Sequence, residues 1–509
     1  MSERHISRRA FLKGGAAAIA GATLLPRGWW SLARAAEPGY FRSGFGITDA
    51  LCRKVLDRAL AKGGDWAEIY FEHTVTNFLW LEDGKVDRAY CNVALGAGIR
   101  TVTGDQVGYG YTQELAEGPM LAAAGTAAAI AAGPQGTVAR EFVRLKTADR
   151  YPLGQLLSEV PFEARLPLVQ RINERCFARS PLVAKVSAGM SDEQRRVWIV
   201  TSDGVEAEDL RPHVFAVAFV TAVKDGRVET VLTTRGNRQD LSVCTPEYLD
   251  GMTDEAVDCA VLLFDAVQPP AGEMPVVLAP GLPAVLLHEA IGHGMEADFN
   301  RKEISTYCTM LGRKVAEPFV TIVDDGTIPH DCGALNVDDE GTPGERTVLV
   351  QDGILKSYLY DRISARHYGV ASTGSGRRQS YEHFPVPRMR TTYMLPGPAT
   401  PEEIIASVPR GIYVQDVANG EVRIGAGDFA FYVSQGRMIE DGKLTAPIKD
   451  VNIMGNGPKM LANMTMVGND LELSPFGASY CGKDGQQALV GLGMPTVLVK
   501  SLTVGGTQG

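Results

Sequence analysis
The chain has 509 residues, 45% of them apolar and 22% charged, a composition that excludes disorder on any large scale. Its length exceeds what one ordinary core accommodates, so two or three domains are expected. A formal net charge of −10, with no basic run, argues against binding to a phosphate backbone, and no nucleic-acid partner is expected.

The N-terminus reads as a targeting segment. Ser7-Arg8-Arg9-Ala10-Phe11-Leu12-Lys13 precedes an apolar run of small residues from Gly14 to Leu25, and Ala33-Arg34-Ala35 supplies an A-x-A cleavage site. The pattern is that of a twin-arginine (Tat) export signal over residues 1–35, and it predicts a periplasmic or exported protein. The run is about a dozen residues, short of the roughly 20 that span a bilayer, so no membrane anchor is expected after cleavage. Cleavage would leave 44 basic against 59 acidic residues, a net charge of −15. The eight cysteines have no C-x-x-C spacing, and export of an already folded chain predicts mostly free thiols, at least one with a chemical role.

Helical periodicity runs from Thr48 to about Lys62, followed by alternating strands with turn signals at Asp83-Gly84 and Gly104-Asp105. An Ala-rich helix spans Leu115 to Ala132. These elements form an N-terminal α+β unit over 44–135. The polar stretch 134–155 reads as a connector. A second α+β unit over 155–268 repeats the order, with a helix from Pro161 to about Arg179, a strand meander, and a helix from Met252 to Val267. Gln268-Pro269-Pro270-Ala271-Gly272 marks a boundary, and 272–509 is glycine-rich and strand-rich. The predicted fold class is α+β, with helix-plus-antiparallel-sheet layers followed by a β-rich C-terminal domain.

That last section opens with a strand and then Pro283 to Glu296, apolar nearly all round except for His288, Glu289, His293 and Glu296. Ionisable groups concentrated in a greasy helix point to a metal site. The motif resembles H-E-x-x-H, in which two ligands share one helix face, but here the histidines are five apart. At about 100° per residue they diverge by about 140° on an ideal helix. The helix must therefore widen by a π-type bulge, or end, before His293, and Gly292 and Gly294 make that departure cheap. A catalytic zinc usually takes three protein ligands and keeps one open position. Two candidates remain for the third: Glu296 nearby, or Cys481 in the remote turn Tyr480-Cys481-Gly482-Lys483-Asp484-Gly485-Gln486, where Lys483 would favour the thiolate. A cysteine in such a turn also suits a purely structural role.

"HEAIGHGMEADFNRK" and "YCGKDGQ" together resemble the TldD/PmbA family of metallopeptidases, in its catalytic TldD-like branch. "LNVDDEGTPGERTVLVQDGILKSYLYD", "TGSGRRQSYEHFPVPRMRTTYMLPG", "TMVGNDLEL" and "LTVGGT" extend the resemblance over nearly the whole chain past residue 35. It implies one Zn2+ per chain held by His288, His293 and Cys481, with Glu289 as catalytic base and Glu296 in a supporting role. It also implies a C-terminal metallopeptidase domain, peptide or unfolded polypeptide substrates, and a homodimer or a heterodimer with a PmbA-like subunit. Ala478-Ser479-Tyr480 departs from the Gly-Thr more usual before the cysteine, and the export signal departs from the cytoplasmic members.

The expected function is therefore a zinc-dependent peptidase using a zinc-activated water with Glu289 as general base. Among Arg377, Arg378, Tyr381, His383 and Arg388, the better candidates for steadying an oxyanion are Tyr381 and His383, against an ordinary solvated basic loop. The alternatives are a non-catalytic partner subunit with a structural metal, or a metal-dependent amidohydrolase acting on small amides.

Overall fold
The computed structural model describes residues 39–133, 139–474 and 480–506. The expected export signal lies outside the described residues, as do Ala478 and Ser479. No helix among the described residues is long and apolar enough to cross a membrane. The fold is α+β and β-rich, as expected.

The first two units share a single sheet. Strands β1 (Trp66–Glu82), β2 (Lys85–Thr103) and β3 (Gln106–Thr112) belong to one; β4 (Val183–Thr201), β5 (Val205–Lys224) and β6 (Arg227–Asn237) belong to the other. Spatial order is β3-β2-β1-β4-β5-β6, with β1 and β4 antiparallel from Glu68↔Thr201 to Glu82↔Ser187. Each unit has the order helix, three strands, helix, so the β1–β4 seam relates two similar halves. Asp-Gly and Gly-Asp turns close the hairpins as their sequences require; Asp83 and Gly84 take φ of 47° and 76°.

Helices cover one face in two pairs. Helices α1 (Asp49–Ala59) and α2 (Glu117–Ile130) bury Cys52, Val55, Leu56, Ala124 and Ala127 against Ile69, Phe71, Ile99 and Trp198. Helices α3 (Leu166–Arg179) and α4 (Pro246–Leu262) bury Val169, Ile172, Cys176, Met252 and Val257 against the other half. Helix α4 starts six residues before the expected Met252. Thr245 caps it by accepting from the Tyr248 N–H, and Pro246 occupies the first turn, where no intrahelical partner is lost. The connector is not wholly irregular, because Val143–Arg144 pairs in parallel with Val205 and Glu206 of β5. Arg171, Arg175 and Arg179 meet Asp250, Asp254 and Asp258 in bidentate pairs of 2.6–2.9 Å, so α3 and α4 run parallel.

In the C-terminal section the strand Gly272–Leu278 lies between Arg410–Arg423, to which it is parallel, and Val497–Gly506. Val451–Asn456 and Asp428–Glu440 follow, and the last pairs back onto Arg410–Arg423, closing the sheet on itself. A second, six-stranded sheet contains Ile322–Asp325, Thr391–Met394 and Gly491–Met494. One apolar core spans both, including Val276, Leu287, Ile291, Met389, Ile412 and Val499. The segment Pro283–Met295 emerges from the first strand into this core, which explains its apolar character.

The two parts are joined by buried charge. The Arg100 guanidinium donates to Glu68 (2.9 Å) and to Glu340 (2.6 Å), and all three side chains are fully buried. Arg378 pairs with the other Glu68 oxygen and lies 4.2 Å over the Tyr70 ring. Arg211 of β5 reaches Asp209 (2.8 Å) and Asp339 (2.5 Å). Glu68, Arg100, Asp209 and Arg211 stand on the open face of the long sheet, while Asp339, Glu340 and Arg378 come from the C-terminal section.

Removing one member of such a network strands the others in a low dielectric. Arg100→Met is expected to cost about 3–5 kcal/mol of unfolding free energy in a urea titration. Arg175→Ala, on the solvent-facing ladder, leaves the unfolding midpoint nearly unchanged.

Candidate metal centre
The apolar stretch after Pro283 is not a regular helix. A single α turn, Ala284–Leu287, gives way to a π turn over His288–Gly292, then to a tight 3₁₀ turn over His293–Met295. Glu296 is extended (φ −71°, ψ 127°), and a new helix begins at Ala297. The wide turn supplies the extra residue that a five-residue spacing demands, and it brings the His288 and His293 rings to 5.2 Å between centroids, edge to face. The glycines have a different reason from the one expected. Gly292 has ordinary helical dihedrals (φ −57°, ψ −50°), but a Cβ there would collide with the Met389 sulfur. A Cβ at Gly294 would meet the Tyr307 ring. Close packing, rather than backbone freedom, selects glycine at both positions.

The third donor arrives from 188 residues away. Tyr480–Lys483 and Gln486–Leu489 form an isolated two-stranded hairpin turned by Asp484 (φ 50°) and Gly485 (φ 74°). It places the Cys481 sulfur 3.2 Å from His293 Nε2. One donor atom from each of His288, His293 and Cys481 lies within 4.8 Å of the others, and all three residues are buried. Both ring nitrogens of His288 lack a hydrogen-bond partner among the described residues. Buried imidazole nitrogens without partners, converging with a thiol, fit a bound cation.

Electrostatics support the same set. Burial alone would push the Cys481 thiol up, but the two imidazoles hold it well below the ordinary thiol range, as a thiolate. His293 is moved the other way. Burial would lower it, and the Glu296 carboxylate and Cys481 raise it well above the usual imidazole value. Glu296, fully buried, accepts from His293 Nδ1 at 2.9 Å. A carboxylate only accepts, so Nδ1 carries the proton and Nε2 faces Cys481. Burial would raise Glu296, yet Lys483 first and His293 second bring it down to about 2.

Glu289 differs from its neighbours. Its carboxylate lies 3.6 Å from His293 Nε2 and its side chain is 31% exposed, whereas the three donors are nearly sealed. It is the part of this cluster that solvent reaches.

Other expectations are redistributed. Lys483 does not support the thiolate directly, because its ammonium is spent on Glu296, Asp298 and the Pro387 carbonyl. The arginine-rich stretch is no solvated loop: Arg377, Arg378 and Arg388 are buried. Arg388 donates to the carbonyls of Cys481 and Gln486 and so pins the hairpin. Tyr381 packs on the N-terminal sheet, with its ring against Gly96 and its N–H on Glu72 (2.9 Å). His383 Nδ1 bonds Ser380 (3.1 Å). None of the contacts described for Tyr381 or His383 joins it to the cluster. Asp298 was not singled out in the sequence, and Lys483 and Arg388 were read there in other roles, beside the thiolate and among the oxyanion candidates.

Gly292→Ala is expected to destabilise the chain by about 1–3 kcal/mol through overpacking against Met389, seen in denaturant unfolding. Glu296 makes a pH prediction. Its folded-state pKa is depressed, so its stabilisation is present above the unfolded value near 4.5 and is lost as pH falls toward about 2. The stability deficit of Glu296→Gln, followed by thermal unfolding across pH, is therefore widest above pH 4.5 and narrows below it.

Three family models match consecutive parts of the chain: PmbA/TldA metallopeptidase domain 1 over residues 67–131, the central domain over 156–264, and the C-terminal domain over 271–506. A metalloprotease TldD homolog of Haemophilus influenzae is 38% identical over 452 residues, covering 87% of this chain and 93% of that one. A zinc metalloprotease TldD homolog of Saccharolobus solfataricus is 34% identical over 239 residues, 47% of this chain and 53% of that one. The crystal structure of TldE from Thermococcus kodakarensis shares the fold, with a TM-score of 0.73 at 18% identity, over 90% of this chain and all of that one. With its sheets, its histidine turn and its cysteine hairpin in this arrangement, the chain belongs to the TldD/PmbA family of metallopeptidases.

Proposed function
We propose that the protein is a zinc-dependent peptidase acting on small peptides or unfolded polypeptides, with His288, His293 and Cys481 as metal ligands and Glu289 as general base. The observation that carries this reading is the convergence of two imidazoles and a thiolate beside a solvent-accessible carboxylate. Two nitrogens and one sulfur suit zinc, and three protein donors leave a position for water or substrate. When bound, the cation supplies Lewis acidity, polarising a carbonyl and easing loss of a proton from water. The chain's own residues do the rest. Glu296 fixes the His293 ring, Glu289 takes the proton from the attacking water, and the same carboxyl hands it to the departing amine.

Export through the twin-arginine route, and pairing with a second copy or with a PmbA-like chain, belong to the same proposal. The leader pattern supports the first. The fold shared with a TldE structure supports the second.

The test is metal content by elemental mass spectrometry together with hydrolysis of an unstructured polypeptide. Wild type is expected to hold about one zinc per chain and Cys481→Ala to lose most of it. Glu289→Gln keeps the metal and loses about 10²–10⁴-fold in turnover. Full activity in Glu289→Gln would remove Glu289 as the general base, zinc-loaded wild type without hydrolysis would replace the peptidase reading with a non-catalytic metal site, and metal-free wild type would remove the site altogether.

A further inference from the structure
The proposed ligands come from two separate pieces of chain, and something must fix one against the other. The cysteine hairpin is not part of any of the three large sheets. Arg388 holds it from one side, through backbone carbonyls only. Beyond the contact of the Cys481 sulfur with His293 itself, a second link to the histidine side runs through Lys483. Lys483 lies two positions after Cys481 on the same strand, so both side chains face inward, and the intervening Gly482 is exposed.

The Lys483 ammonium is essentially sealed from solvent, and each of its three protons has a partner. It reaches Glu296 Oε2 at 3.0 Å, Asp298 Oδ1 at 2.7 Å and the Pro387 carbonyl at 2.9 Å. Its position over the Phe299 ring, 4.2 Å from the centroid, adds a further contact. Glu296 Oε2 is the same oxygen that accepts from His293 Nδ1, while Oε1 has no partner among the described residues. A continuous chain of contacts therefore runs from Cys481 along its own strand to Lys483, to Glu296, to the His293 ring.

We propose that Lys483 is a positioning residue that locks the thiolate-bearing hairpin to the imidazole-bearing turn, so that the donor set is assembled before a divalent metal arrives. The inference rests on the peptidase reading for its ligand set and goes beyond it by assigning the coupling between the ligands. The ammonium determines where the Glu296 carboxylate points. The carboxylate determines the rotation of the His293 ring and turns Nε2 toward Cys481. Asp298 holds the ammonium from the far side and prevents it from following the carboxylate. A lysine suits this place because three partners surround a point charge, whereas a planar guanidinium would not fit them.

The test compares wild type, Lys483→Met, Glu296→Gln and the double variant, each stripped of metal. Zinc affinity is read by competition with a chelator, and ligand geometry by the thiolate-to-cobalt charge-transfer band of the Co(II) form. Lys483→Met is expected to bind zinc about 10–100-fold more weakly and to shift or lose the cobalt band. The double variant should be no weaker than Glu296→Gln alone, because Lys483 acts through that carboxylate. Unfolding in the presence of chelator identifies any variant that fails to fold, and the Lys483→Arg variant then takes its place, with the same expected loss. Equal zinc affinity and an unchanged band in folded Lys483→Met would overturn the lock, as would additive losses in the double variant. Absence of zinc binding by wild type would instead overturn the ligand set, which separates the two failures.

Discussion

The arrangement around the candidate metal centre depends on one backbone constraint, the extra residue between His288 and His293. A regular helix would turn the second imidazole away from the first. The π turn absorbs the residue, and the 3₁₀ turn and extended Glu296 that follow end the helix before the register drifts further. Such a turn forfeits good helical hydrogen bonding and persists only where its surroundings hold it. Here Met389 and Tyr307 press on glycines from outside the turn, the Glu296 carboxylate holds the ring of His293, and Cys481 closes the remaining side. The geometry of the candidate centre is thus a property of the packed core as much as of the motif.

Much of this was legible in the residues. The five-residue spacing alone required a departure from the α-helix, and the apolar flanks of the motif required burial. The alternation of 66–112 and 183–237, with Asp-Gly turns, announced hairpins. Helix α4 was misplaced at its start because Thr245-Pro246, a capping signal, was overlooked in favour of the later apolar spacing. Other features were out of reach. Nothing in the local pattern says that two similar units merge through β1 and β4, because pairing between distant strands leaves no period in either. For the arginines of 377–388 a solvated loop and an oxyanion role stood side by side, and neither anticipated their burial; their partners, Glu68 and the carbonyls of the cysteine hairpin, lie up to 310 residues away. Lys483 was misjudged for a similar reason. Proximity in sequence to Cys481 suggested a direct effect on the thiol, whereas strand geometry sends the side chain to carboxylates on another element.

The charged interface between the long sheet and the C-terminal section has a cost as well as a function. Burying Arg100, Arg211 and Arg378 with Glu68, Asp339 and Glu340 takes several ions out of water, and the compensation is geometric completeness more than net energy. An apolar contact of the same area would tolerate sliding. Paired guanidinium and carboxylate groups do not, so the network fixes the C-terminal section against β1, β2 and β5. The stretch from Arg378 to Arg388 ends in the guanidinium that donates to the Cys481 and Gln486 carbonyls, so a shift at the sheet would be felt at the cysteine hairpin.

The separation of the donors along the chain also sets an order in time. His293 is synthesised 188 residues before the cysteine, and His288 earlier still. At ordinary translation rates of about 5–20 residues per second, a nascent chain spends roughly 10–40 s with an incomplete donor set. A cation met during that interval finds two imidazoles and no thiolate. The hairpin that completes the set follows the histidine turn in the chain, and the strand Val497–Gly506, which the C-terminal sheet needs, follows the hairpin. Assembly of the centre therefore waits on synthesis of the hairpin, and a product truncated before it carries the histidine motif without its thiol partner.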